Sequence, residues 1–146
     1  MQDNLIKELK TIIKGDVLGD EKTLEEYSHD ASLFEVKPQV VVNPKDVQDV
    51  KTLVRYVGEN KKSNPTLSLT GRSAGTDMSG GAINDSILVA FQKYFNHIKP
   101  INNNIATTEP GVFYRDFEKQ TLQQGLIFPS YPASKEICAM GGIINN

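Results

Sequence analysis

The feature that most constrains this chain is a strand-helix-strand pattern running straight into a glycine-rich loop. Gln39-Val40-Val41-Val42 is a β-branched run suited to a buried strand. Asn43-Pro44-Lys45-Asp46 follows, with Asn suited to an N-cap, Pro to the first helical position and an early acid to the helix dipole. Val47, Val50, Leu53, Val54 and Val57 then recur at helical spacing and predict one apolar stripe on a helix reaching about Asn60. Asn64-Pro65 breaks that pattern, and Thr66 to Thr70 reads as a second strand. A unit of this kind usually makes neighbouring parallel strands with a right-handed crossover.

The loop reads Thr70-Gly71-Arg72-Ser73-Ala74-Gly75-Thr76-Asp77-Met78-Ser79-Gly80-Gly81-Ala82. Small residues let backbone N–H groups converge on an anion that larger side chains would keep away. Ser73, Thr76 and Ser79 add hydroxyl donors, and Arg72 adds a positive charge. No Lys-Ser or Lys-Thr pair follows, so this is not a Walker-type loop, and the glycine spacing is not that of a GxGxxG dinucleotide fingerprint. On the residues alone, a phosphate cradle and a glycine-rich surface turn both stay open.

Around this centre the chain alternates in type. Leu5, Ile6, Leu9, Ile12 and Ile13 predict a first helix over about 4–14. Residues 21–36 read as a short helix and a surface connection. Ile87-Leu88-Val89-Ala90 reads as a third strand. Ile98 to Ile101 and Ile105 to Thr108 flank Asn102-Asn103-Asn104 as an antiparallel hairpin about an Asn turn. Tyr114, Phe117, Thr121 and Leu122 share one face of a further helix stopped by Gly125. The tail from Tyr131 is rich in Pro, Gly and small residues and includes the pair Gly141-Gly142. The order gives an α+β class: a small parallel β-α-β subdomain, then the start of a mixed or antiparallel sheet subdomain. The expected division is 1–36 for the N-terminal helix and connection, 37–95 for the first α/β subdomain and 96–146 for the start of the second.

Composition narrows the functions. With 16 Lys and Arg against 18 Asp and Glu, the net charge of -2 argues against nucleic acid as the main partner. A single cysteine, Cys138, excludes an intrachain disulfide and a cysteine metal cluster. No run approaches the length of a membrane span. A cytoplasmic location is expected, with peripheral attachment to a membrane left open, and no metal is expected.

Taken in order, four segments resemble the FAD-binding domain of the vanillyl-alcohol-oxidase type, also called the PCMH type. They are Pro38 to Val42 with the Pro44 turn, the loop Gly71 to Ala82, Pro110-Gly111-Val112, and Pro132-Ala133-Ser134 with Gly141-Gly142. Tyr27-Ser28-His29-Asp30-Ala31-Ser32 is similar to a segment of D-lactate dehydrogenase and glycolate oxidase relatives. The resemblance implies that Arg72, Ser73, Ala74, Gly75 and Thr76 cradle the FAD pyrophosphate and that Asp77, Met78 and Ser79 continue along the cofactor. It implies that Pro110, Gly111, Pro132, Ala133, Ser134, Gly141 and Gly142 line the rest of an FAD cleft between two subdomains. Some members attach FAD through a histidine at the position of Thr76, so FAD is expected to be noncovalent here.

The resemblance further implies a flavoprotein oxidoreductase for a small 2-hydroxy acid such as D-lactate or glycolate. The same fold acting on an alcohol, a sugar or an alkylglycerone phosphate is an alternative, as is a cofactor-free interaction module. A reductase of cell-wall precursor synthesis shares the fold, but its glycine loop usually reads differently. In the family the chain continues past the Gly-Gly segment, so this stretch is expected to be an incomplete domain, inactive alone, with no nameable catalytic residue. Open sheet edges would make a homo-oligomer a natural outcome.

Overall fold

The structure is a computed structural model and describes residues 2–145. Its helices are α1 (Gln2–Ile12), α2 (Glu21–Glu26), α3 (Val47–Asn60), α4 (Tyr114–Leu122) and α5 (Met140–Asn145). Its strands are β1 (Asp16–Leu18), β2 (Val40–Asn43), β3 (Leu69–Arg72) and β4 (Ile87–Ala90). The strands form one mixed sheet in the order β1-β2-β4-β3. β2, β4 and β3 are parallel, while β1 is an antiparallel edge. The α+β class follows, with one difference from the expected unit: β4 inserts between β2 and β3, so the strands joined by α3 are not neighbours.

Every residue of β2 and β4 is buried, as suits parallel strands covered on both faces. On one face Val40, Val42, Ile87 and Val89 meet Leu5, Leu9 and Ile13 of the α1 region and Leu53 of α3. On the other, Val41, Leu88 and Ala90 meet Leu24 of α2, with Tyr27 packed alongside.

The start of α3 differs from the sequence expectation. Asn43 closes β2, Pro44 is a fully buried turn residue, and the N-cap is Asp46, whose carboxylate accepts from the Asp49 N–H. The helix is also rotated relative to the predicted stripe: Leu53 is buried, whereas Val47 and Val54 are 58% and 60% exposed. Asp49 turns inward instead. Its carboxylate accepts from the backbone N–H groups of Lys14, Gly15 and Lys45 at 3.0, 2.9 and 2.8 Å. This one side chain fastens the end of α1, the start of β1 and the β2–α3 turn.

A second core gathers Val112, Tyr114, Phe117, Cys138 and Met140. The hairpin narrows to isolated antiparallel bridges, Ile98 to Thr108 and Asn102 to Ile105. Asn103 and Asn104 turn it with φ of 52° and 61°, the left-handed pair that a tight hairpin needs. Gly125 has φ 68° and closes α4: its N–H meets the Leu122 carbonyl and the Leu126 N–H meets that of Thr121. Within the tail, Met140–Asn145 forms α5, an element to which the sequence reading gave no secondary structure.

Candidate functional site

β3 and β4 are adjacent parallel strands, and such a pair ordinarily needs a helical crossover. Here the connection is the glycine loop, residues 73–86, which leaves β3 at its carboxyl end. Carboxyl ends of parallel strands are where α/β sheets receive ligands. The loop takes left-handed turns at Gly75 (φ 68°) and Gly80 (φ 86°), where a side chain would be strained.

The loop is fixed from outside rather than by its own backbone. Arg72 Nη1 donates to the carbonyls of His29 and Ala82 at 2.6 and 3.3 Å. Ser73 Oγ donates to the Pro110 carbonyl at 2.9 Å, and the Gly141 N–H donates to the same oxygen at 2.9 Å. The loop, the Pro110 turn and the start of α5 thus meet at one atom. A Cβ on Gly141 would lie 2.8 Å from the Pro110 Cβ, so only glycine permits this approach.

These contacts border an open cavity of about 990 Å³. Its walls include Arg72, Ser73, Ala74, Gly75, Thr76, Asp77, Met78, Ser79, Pro110, Pro132, Ser134, Gly141 and Gly142, all singled out in the sequence. Gly111 and Ala133 are not among them. Gly111 is buried behind the wall, where a Cβ would lie 2.6 Å from the carbonyl oxygens of both Phe91 and Phe95. Ala133 faces solvent. Phe91, Pro129, Ser130, Tyr131 and Cys138 also line the cavity. The phenylalanine and tyrosine carried no signal, because an aromatic beside a turn reads equally as core.

Among the described residues, no backbone N–H from Ser73 to Met78 reaches an acceptor within the chain. A run of unpaired donors on a cavity wall is the donor set that an anionic group such as a pyrophosphate needs, so the residues present fit FAD. The side chains contribute differently from expectation. The hydroxyls of Ser73 and Ser79 are taken by Pro110 and Asp77, while that of Thr76 has no internal partner among the described residues.

Electrostatics follow the same geometry. Hydrogen bonds from the Ser79 hydroxyl and N–H hold the Asp77 carboxyl below its usual range. Partial burial pulls Arg72 down, opposed by Tyr27, Asp30 and Glu26 nearby. Burial pushes the Cys138 thiol up, which suits a packing residue rather than a nucleophile. Neither histidine reaches the cavity wall. His29 stands 3.9 Å from Glu35, and His97 lies 2.8 Å from Glu109 at the surface. No helix among the described residues is long and apolar enough to cross a membrane.

The chain is similar to known proteins in sequence and in fold. A D-2-hydroxyglutarate dehydrogenase of Stutzerimonas stutzeri is 31% identical over 144 residues, covering 96% of this chain and 30% of its own length. The glycolate oxidase subunit of Bacillus subtilis is 29% identical over 123 residues, covering 82% of this chain and 25% of its own length. The chain therefore spans between a quarter and a third of these curated relatives. Among solved structures, an alkyldihydroxyacetonephosphate synthase superposes with a TM-score of 0.76 at 19% identity, over 96% of this chain and 28% of its own. p-Cresol methylhydroxylase superposes with a TM-score of 0.73, also at 19% identity, over 93% of this chain and 27% of its own, and these likenesses show the fold. The family model described as "FAD binding domain" matches residues 38–146, and the chain belongs to that family.

Proposed function

We propose that this chain supplies the phosphate-cradling wall of a noncovalent FAD site in an oxidoreductase acting on a small 2-hydroxy acid of the D-lactate or glycolate class. The observation that carries the reading is that Ser73 to Met78 all line the cavity while none of their backbone N–H groups has an acceptor among the described residues. In this reading the loop amides bind the pyrophosphate, and Thr76 Oγ adds a hydroxyl donor. Pro110, Pro132, Ser134, Gly141 and Gly142 border the rest of the cofactor. The flavin supplies the hydride chemistry, and the protein's part is to bind and orient it. Thr76 stands where a histidine would be needed for covalent attachment, which supports noncovalent binding. The acid class rests on the D-2-hydroxyglutarate, glycolate and D-lactate enzymes among the relatives. The division into 37–95 and 96–146 is proposed on the separate cores of the sheet and of the Tyr114 region.

Titrating FAD into the protein while following flavin fluorescence tests the reading. Gly142→Asp is the matched variant, because Gly142 lines the cavity and a Cβ there meets nothing within 4 Å, so the variant brings a carboxylate to the cavity wall without a steric clash. Saturable binding that Gly142→Asp abolishes supports the site. Equal affinity in both proteins places the cofactor elsewhere. In a protein extended to the length of the curated relatives, bleaching of the bound flavin by D-lactate or glycolate without oxygen, and not by an alcohol or a sugar, tests the substrate class.

A further inference from the structure

We propose that Arg72 is a positioning residue, acting on the cofactor through the loop backbone, and that it makes the segment Tyr27 to Ala31 part of the site. The inference rests on the FAD reading and revises the direct phosphate contact expected of this arginine.

Three observations converge. First, the guanidinium joins the start of the loop to its second half and to a third segment. It belongs to Arg72, where the loop begins, and donates to the carbonyls of Ala82, within the loop, and of His29. Second, Gly75 crosses directly over it, since a Cβ there would lie 2.5 Å from Cζ and 2.7 Å from Nε. The guanidinium also lies 5.2 Å from the centre of the Tyr27 ring. Third, the cycle closes through a separate bond, in which the Ala31 N–H donates to the Asp77 carbonyl at 3.0 Å.

With no backbone N–H from Ser73 to Met78 paired among the described residues, this part of the loop owes its shape to such outside fastenings. Arg72 is a cavity wall, yet Nη1 is committed to carbonyls and the rest of its plane lies beneath Gly75. A cradle already held open pays less ordering cost when it receives an anion. Both bonds leave the one nitrogen Nη1, so what the guanidinium adds beyond its charge is the flat plane beneath Gly75 and beside the Tyr27 ring, which a lysine ammonium does not reproduce.

The test compares the native protein with Arg72→Lys and Arg72→Met. FAD affinity and the exchange rate of the Ala31 amide are read for each, with far-UV circular dichroism reporting the fold. Both variants are expected to weaken FAD and to speed Ala31 exchange by about tenfold or more, Lys rescuing neither. Native affinity in Arg72→Lys with a loss in Arg72→Met, and unchanged Ala31 exchange in both, overturns the proposal in favour of a direct charge contact. Should the native protein bind no FAD, the functional reading fails, while Ala31 exchange still decides whether Arg72 holds the loop. Should both variants unfold, Tyr27→Leu keeps the charge and removes only the ring beside it. Weaker FAD binding with faster Ala31 exchange supports the proposal, and native behaviour on both counts overturns it.

Discussion

Gly75 lies against the Arg72 guanidinium so closely that a Cβ added to it would sit 2.5 Å from Cζ. Position 75 is thus glycine for two separate reasons, its φ of 68° and this contact. Gly75→Ala is expected to lose about 1–3 kcal/mol from the left-handed backbone alone, before the guanidinium is displaced. Urea unfolding measures that loss. The Ala31 amide should exchange faster in the same variant, because the loop rises off its fastening. A variant with native stability and native Ala31 exchange contradicts the contact.

Asp49 offers a second test. Its buried carboxylate accepts from Lys14, Gly15 and Lys45, which no other acceptor serves among the described residues. Asp49→Ala strands those donors and is expected to cost about 3 kcal/mol or more. Asp49→Asn keeps one acceptor oxygen but turns an NH₂ toward N–H donors, so it should recover little. Urea midpoints of the two variants decide, and a loss below about 1 kcal/mol for Asp49→Ala contradicts the fastening role.

Much of the sheet was legible because burial on both faces leaves a plain record. The runs at Val40 and Ile87 are apolar throughout, as parallel strands require. The rotation of α3 was not legible. Five valines and leucines suggest a stripe, but the helix instead buries Asp49 and Leu53. The donors that draw Asp49 inward come from residues 35 and 34 positions away, at Lys14 and Gly15, beyond the reach of any local pattern. β1 escaped notice for a similar reason: three residues show no alternation, and antiparallel pairing with β2 makes them a strand. α5 contains Gly141 and Gly142, which weaken a helix, and its start is held by bonds from Met140 to Val112 and from Gly141 to Pro110. In the site, glycine spacing marked the loop, but the destinations of the Ser73 hydroxyl and the Arg72 guanidinium depend on distant carbonyls.

Alkaline stability depends on Tyr114. Its hydroxyl donates to the Phe128 carbonyl at 2.9 Å, next to the segment that walls the cavity. Burial first, and then Glu118, push this phenol up to about 12. A raised folded value keeps the proton on in the folded state while the unfolded chain loses it. The resulting stability is complete below about pH 10 and is lost as pH rises through about 12. Tyr56, raised to about 12 by burial and by Glu8, works in the same direction. Tyr114→Phe should therefore be less stable at pH 8, by about 1 kcal/mol for the lost hydrogen bond, and should fall less steeply between about pH 10 and 12. Urea midpoints measured across that range check both expectations. Equal slopes for native and variant would remove Tyr114 from the account.

The last prediction separates a glycine that supports the site from an alanine that stands outside it. Gly111 is buried against two backbone oxygens, each 2.6 Å from where a Cβ would sit, and backbone atoms yield less readily than side-chain ends. Its N–H also donates to the Phe95 carbonyl at 2.8 Å, tying the Pro110 turn to the strand-end segment beneath the cavity. Gly111→Ala should lower stability by about 1–3 kcal/mol or more through overpacking. FAD affinity should fall with it, because the Pro110 carbonyl that receives Ser73 and Gly141 must shift. Ala133 lies between two cavity walls in sequence, Pro132 and Ser134, but faces solvent itself. Ala133→Asp should leave both stability and FAD affinity near native, whereas Gly142→Asp abolishes binding without unfolding the protein. Parallel urea and FAD titrations on the three variants test the geometry as a set. Loss of FAD affinity in Ala133→Asp would mean that the cofactor runs along the outer side of the Pro132 segment instead of through the cavity.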